Sequence, residues 1–239
     1  MRRLKLSKNY PEALKLGSEI LNIKKHPRVL LMTCECLFQM KQYNKAISVM
    51  ADVGEEERTS QHAKLLGQIY MKVGQYAQSI LALEQAVNMN TLNNDLKIEL
   101  AAACFANDDI EEGERVIKSI MNNNPTDLNM VNIANIYLDH NDIDKAGIYL
   151  KKTVDPIKET VQVFNKYAVT LRQVNRFEDA EDIYRKCLKI EPDSDVLHYN
   201  LAILLTKKNQ MEEAKKALSE ALKLNPENEH ASTLLAKLR

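Results

Sequence analysis

Glycine and proline are scarce in this chain, 6 of each among 239 residues. Hairpins and βα loops draw heavily on both, so their scarcity leaves little room for a sheet protein and predicts an all-α fold. Tryptophan is absent. Four cysteines (Cys34, Cys36, Cys104, Cys187) do not make a secreted disulfide framework in a chain this long. Cys34 and Cys36 project about 200° apart on a helix, cannot share one metal ion, and read as small core residues. No apolar run approaches the roughly 20 residues of a membrane span, and the longest candidate, 29–38, contains Glu35. No secretory signal pattern and no glycosylation sequon is present, so a cytoplasmic setting is expected. There is no excess charge of either sign: Lys+Arg and Asp+Glu are 33 each. That balance counts against a whole-chain nucleic-acid binder, which carries a basic excess for phosphate contacts.

What is present is a repeat. Large side chains recur at Tyr10, Tyr43, Tyr76, Ile110, Ile143, Phe177 and Met211, at intervals of 33 or 34 residues. Three residues after each sits a small one: Ala13, Ala46, Ser79, Gly113, Ala146, Ala180 and Ala214. Close helix crossings need such small residues, because they let two backbones approach. Each unit carries two helical patterns around a short polar connection such as Gly74-Gln75 or Asn141-Asp142. Pro125, Pro192 and Pro226 punctuate the ends of units, since proline cannot continue a helix.

These residues resemble the tetratricopeptide repeat (TPR), a 34-residue helix–turn–helix unit. Leu66-Gly67-x2-Tyr70 matches the first helix of the pattern, with Ala63 in place of its tryptophan. Ala180-x3-Tyr184 and Pro192 match the second helix and its end; Asn200-Leu201-Ala202, Ala214, Ala221 and 225–228 match again. The resemblance implies a single α-solenoid domain with a right-handed superhelix. It divides into a partial repeat (1–26), repeats at 27–59, 60–93, 94–126, 127–160, 161–194 and 195–228, and a capping helix (229–239). Gly54 and Pro156 come early in their repeats, so second helices 43–53 and 143–154 should be short. Gly17 stands where Leu83, Tyr184 and Leu218 stand elsewhere, so the first repeat is expected to pack poorly there or to be covered by something else. Arg2, Arg3, Lys5 and Lys8 form a local basic stretch, read as a solvated segment. The array opens within a repeat, which suggests a seam to an upstream segment before Met1. The closing helix is expected to be lightly packed, so a larger residue at Ala231 should cost far less than one at Ala180.

No catalytic constellation stands out: no His-Glu-x-x-His, no phosphate loop, no nucleophile elbow. The five histidines are scattered among the units and read as capping or exposed residues. The acidic group Asp108, Asp109, Glu111, Glu112 and Glu114 reads as a helix start, where carboxylates complement the dipole. The chain is therefore expected to be no enzyme and to carry no metal or cofactor.

Function in stacked repeats lies on the concave surface lined by first helices. Helical spacing places Phe38 there from the first full repeat, then Lys64, Gln68 and Met71. Ile98, Ala102 and Phe105 follow, then Val131, Asn135 and Leu138. The last two units contribute Asn165, Val169 and Arg172, then Tyr199 and Ile203. So apolar a floor is either covered by a partner or buried by tight superhelical winding. Chaperone-binding members of the family hold a terminal carboxylate with Lys and Asn pairs; Lys64 with Gln68 begins such a pair, but Asp95, Ile98 and Glu99 would repel the ligand. The expected partner is another protein, presenting a helical or extended segment; a homodimer stays open. The stretch 164–205 also looks like the TPR tail of bacterial receiver-containing response regulators, which would make the chain a module of a larger signalling protein. The rivals are an RNA-reading helical solenoid, disfavoured by period and charge, and the regulatory part of an enzyme whose catalytic domain lies elsewhere.

Overall fold

A computed structural model describes residue 1, residues 7–153 and residues 156–238. Its ordered elements are helices, and among the described residues no strand occurs. Packing divides the chain into two compact units, Met1–Asn124 and Pro125–Arg239.

The first unit holds α1 (Tyr10–Ile23), α2 (Pro27–Gln39) and α3 (Tyr43–Ala51), a 3-10 turn (Glu55–Glu57), then α4 (Ser60–Lys72), α5 (Tyr76–Met89), α6 (Asn94–Ala106) and α7 (Ile110–Met121). The second holds α8 (Asp127–Asp139), α9 (Ile143–Leu150), α10 (Val161–Gln173), α11 (Phe177–Ile190), α12 (Asp195–Lys207), α13 (Met211–Leu224) and α14 (Glu229–Lys237). Helices pack most closely in consecutive pairs, α4 with α5 and α12 with α13 foremost.

One turn geometry repeats at every pair. Lys8, Lys41, Gly74, Asp108, Asn141, Asn175 and Asn209 all have left-handed φ, from 58° at Lys41 to 76° at Gly74. In α2 the amide of Gln42 reaches back to the Leu37 carbonyl at 2.9 Å and that of Lys41 to Phe38 at 2.9 Å. The same two bonds close α4, α6, α8, α10 and α12. This is the Schellman ending, which satisfies carbonyls the helix leaves free. It reverses the chain within three residues, so each second helix folds back onto its first.

Two columns of small residues then meet. Cys34, Gly67, Ala101, Ala134, Ala168 and Ala202 on first helices are buried, as are Ala46, Ser79, Gly113, Ala146, Ala180 and Ala214 on second helices. The Ser79 hydroxyl donates to the Gly67 carbonyl at 2.8 Å, a bond possible only where backbones nearly touch. Larger side chains fill the space beside them; Leu83, Leu171, Leu204 and Leu218 are fully buried, each contributing about 2 kcal/mol.

The short second helices end early: α3 has 9 residues and α9 has 8, against 14 in α5, α11 and α13. Residue 154 of the expected 143–154 helix lies outside the described residues, as do Arg2, Arg3 and Lys5. Gly17 is covered: a Cβ there would stand 2.7 Å from the Met1 Cε and 2.8 Å from the Thr33 hydroxyl. Ala231 departs from expectation. It is 0% exposed, like Ala180, because Asn228 pins the start of α14, accepting from the Ala231 amide at 3.0 Å and donating to Asp195 at 3.5 Å.

Candidate interaction surface

Within each unit the first helices lie beside one another, α2 with α4 and α4 with α6, then α8 with α10 and α10 with α12. Residues three and four apart on each helix therefore build a continuous face.

In the first unit this face opens into a cleft of about 300 Å³ lined by Phe38, Gln68, Met71, Lys72, Leu83, Glu99 and Ala102. Four expected groove residues (Phe38, Gln68, Met71, Ala102) thus converge from three successive first helices. Phe38 is held by the Tyr43 ring, tilted 58° at 5.7 Å between centroids. Its floor is Leu83, from the second helix α5, which helical spacing on first helices had no means of indicating. The polar wall is internally matched: the Glu99 carboxylate accepts from the Gln68 amide at 3.0 Å and pairs with Lys64 Nζ at 3.0 Å.

The second unit's face is polar and cross-linked. Lys166 Nζ donates to Asn135 at 2.9 Å and also pairs with Asp139. Asn200 donates to the Asn165 side-chain oxygen at 3.0 Å, and Arg172 reaches the Asn200 carbonyl at 3.4 Å. Tyr199 faces the His230 ring at 6.5 Å, and Val169 and Ile203 are half-buried. Asn135 and Asn165, expected on the concave face, already bind side chains of neighbouring helices. Lys166 and Asp139 escaped sequence reasoning, since nothing in their local pattern marks a bond across 27 residues.

Four expected groove residues sit in the interior instead. Ile98, Phe105, Val131 and Leu138 are 8%, 6%, 2% and 4% exposed. At Phe105 the cause is local: Gly113 on α7 leaves a gap that the ring fills, and a Cβ there would stand 2.5 Å from the Phe105 ring. These four side chains are packing residues in this structure and present no free anchor to a ligand.

A second cleft, of about 500 Å³, lies in the second unit where α9 stops short, over Leu150, Phe164, Tyr167, Leu171 and Ile183. Gly147 makes room for the Tyr167 hydroxyl beside it. Burial raises the Tyr167 phenol above its ordinary pKa.

The remaining chemistry-bearing residues have structural employment. Asp109 caps α7, accepting from the Glu112 amide at 3.3 Å. His26 caps α2, and His62 forms a capping box with Thr59 while its Nε2 lies 3.1 Å from the Pro27 carbonyl. Burial pushes the thiols of Cys34, Cys104 and Cys187 up to about 12, so they stay protonated near neutrality. Among the described residues no cluster of three His, Cys, Asp or Glu is placed to hold a metal. None of their helices is long and apolar enough to cross a membrane.

Comparison with known families and structures agrees with this architecture. The tetratricopeptide repeat family matches residues 171–238, and the family described as anaphase-promoting complex, cyclosome, subunit 3 matches residues 7–86. Among solved structures, the chain is similar to the C-terminal part of a TPR repeat-containing protein from Cytophaga hutchinsonii, at TM-score 0.64 and 18% identity over 97% of this chain and 96% of that one. PilF from Pseudomonas aeruginosa is similar at TM-score 0.59 and 15% identity, covering 75% of this chain and 82% of that one. YrrB, described as a TPR protein with an unusual peptide-binding site, is similar at TM-score 0.54 and 12% identity, covering 80% and 96%. No curated protein matches the chain.

Proposed function

Because the chain belongs to the tetratricopeptide-repeat family, we propose that it is a non-enzymatic scaffold that holds a segment of another protein on the first-helix face of its amino-terminal unit. The observation that carries this reading is the cleft of about 300 Å³ in which Phe38, Met71 and Ala102 from three first helices meet over Leu83. Apolar pockets of that size, walled by a few fixed polar groups, are where binding energy concentrates. The peptide-binding site described for the similar YrrB is consistent with the same use of the fold. The second unit's face, tied down by Lys166, Asn165 and Asn200, offers side positions of a rigid polar surface. Placement within a larger receiver-containing protein rests on the resemblance of residues 164–205 alone, and a cytoplasmic location on composition.

The test is a paired capture experiment with the full chain as bait. Met71→Glu puts a charge inside the cleft, whereas Leu81→Glu alters α5 at a residue 62% exposed and away from the cleft lining. A partner retained by the native chain and by Leu81→Glu, but lost with Met71→Glu at unchanged thermal stability, supports the reading. Identical partner sets for all three baits would refute it.

A further inference from the structure

We infer that the cleft of the first unit admits a bulky apolar side chain from the interior of a partner's sequence and rejects a chain-terminal carboxylate; this rests on the scaffold reading above. Lys64 and Gln68 are the groups that would have to receive such a carboxylate, and both are occupied. Gln68 Nε2 lies 3.0 Å from each oxygen of Glu99, and Lys64 Nζ lies 3.0 Å from Oε1 of the same carboxylate. Glu99 thus compensates the cation and uses the amide N–H from within the cleft wall.

A ligand carboxylate laid beside Gln68 would meet the negative charge of Glu99, with Lys64 already paired and unable to replace its hydration. Lys72 stands at the mouth, exposed to solvent, where its attraction for an anion is weak and screened by salt. The rest of the lining is apolar: the Phe38 ring, the Leu83 floor, the Ala102 methyl and the Met71 thioether, which adapts to differently shaped side chains. An uncharged apolar group gains from the accessible Phe38, Met71 and Ala102 walls, so the cleft discriminates by charge compensation already built into it.

Two probes that share the leucyl side chain and carry either a neutral amide or a carboxylate test this: N-acetyl-leucinamide and N-acetyl-leucine, titrated into the full chain while the Met71 methyl resonance is followed. Expected is a saturable shift with the amide at millimolar concentration and binding of the carboxylate at least about fivefold weaker. Glu99→Gln releases Lys64, so carboxylate affinity should rise about fivefold and the preference for the amide should shrink accordingly. Ala102→Phe fills the cleft and should abolish the amide shift, with a melting curve reporting that the variant is folded. Equal or tighter binding of the carboxylate by the native chain, or an unchanged preference in Glu99→Gln, overturns the charge inference alone. No shift with either probe, or an amide shift that survives Ala102→Phe, overturns the cleft as an anchor and the scaffold reading with it.

Discussion

Gly67→Ala should destabilise the protein although alanine is the better helix former. Gly67 lies inside α4, where alanine would gain about 1 kcal/mol in intrinsic propensity. Against this stands the packing at α5. A Cβ on residue 67 would lie 2.5 Å from Leu83 Cγ and 2.9 Å from Cδ2. The Cγ is a branch point held in a fully buried side chain, so it cannot swing aside as a flexible tip would. Relief requires the helices to part, and parting stretches the 2.8 Å bond from Ser79 to the Gly67 carbonyl. Overpacking of this kind costs about 1–3 kcal/mol, and weakening a buried hydrogen bond about 1 kcal/mol more. The balance is a net loss of about 1–3 kcal/mol, or about 3–9 °C in Tm for a chain of this size. Thermal unfolding followed by far-ultraviolet circular dichroism measures it. Gly54→Ala is the control, because φ there is −58° and the nearest atom to a new Cβ is the tip of Glu57 at 3.8 Å; it should be neutral or slightly stabilising. Leu83→Ala removes the obstructing atoms, so the double variant should be at least about 1 kcal/mol more stable than the sum of the single effects implies. Leu83 is also the cleft floor, and its displacement in Gly67→Ala should weaken binding of N-acetyl-leucinamide. A Tm at or above that of the native chain would refute the close-approach argument.

Lys41→Gly should stabilise by about 1 kcal/mol, since Lys41 is exposed and held at φ 58°, a conformation that penalises a side chain; a urea midpoint below the native one would count against this. Cys34, Cys104 and Cys187, raised by burial from an ordinary 9 to about 12 and shielded in the core, should react with a disulfide reagent far more slowly in the native chain than in urea. Because the unfolded thiols ionise near 9 and the folded ones near 12, the unfolded state sheds protons first as pH rises, so stability should fall between those values. Glu181 is pushed upward by burial, but hydrogen bonds from Lys208 and Arg185 prevail and hold its carboxyl below the usual 4.5. Its contribution is therefore present above that pH and lost on further acidification, and Glu181→Gln should flatten the acid limb of the Tm profile.

The chain's own periodicity carries the helix pairs, because a 33- or 34-residue recurrence of one large and one small residue has no other economical packing solution. Ala46, Ser79, Ala146 and Ala180 were legible as crossing points, and Gly54 and Pro156 as early ends of their second helices. The left-handed turn column recurs with the same period, yet it was hidden by its residues: Lys, Gly, Asp and Asn share a backbone conformation there rather than a side-chain chemistry. Of the candidate site, helical spacing placed Phe38, Gln68, Met71 and Ala102 on one face, and the structure gathers them into one cleft. Spacing gives the direction in which a side chain points and is silent on what stands opposite. Ile98 and Phe105 point by the same rule as Ala102, but Gly113 leaves a hole that only the Phe105 ring fills. Lys64 and Gln68 read locally as a pair able to receive a carboxylate, and it is Glu99, 35 and 31 residues away and brought in by the stacking of α6 on α4, that neutralises them. A charge is free or compensated according to its neighbours in space, and those are decided by tertiary packing.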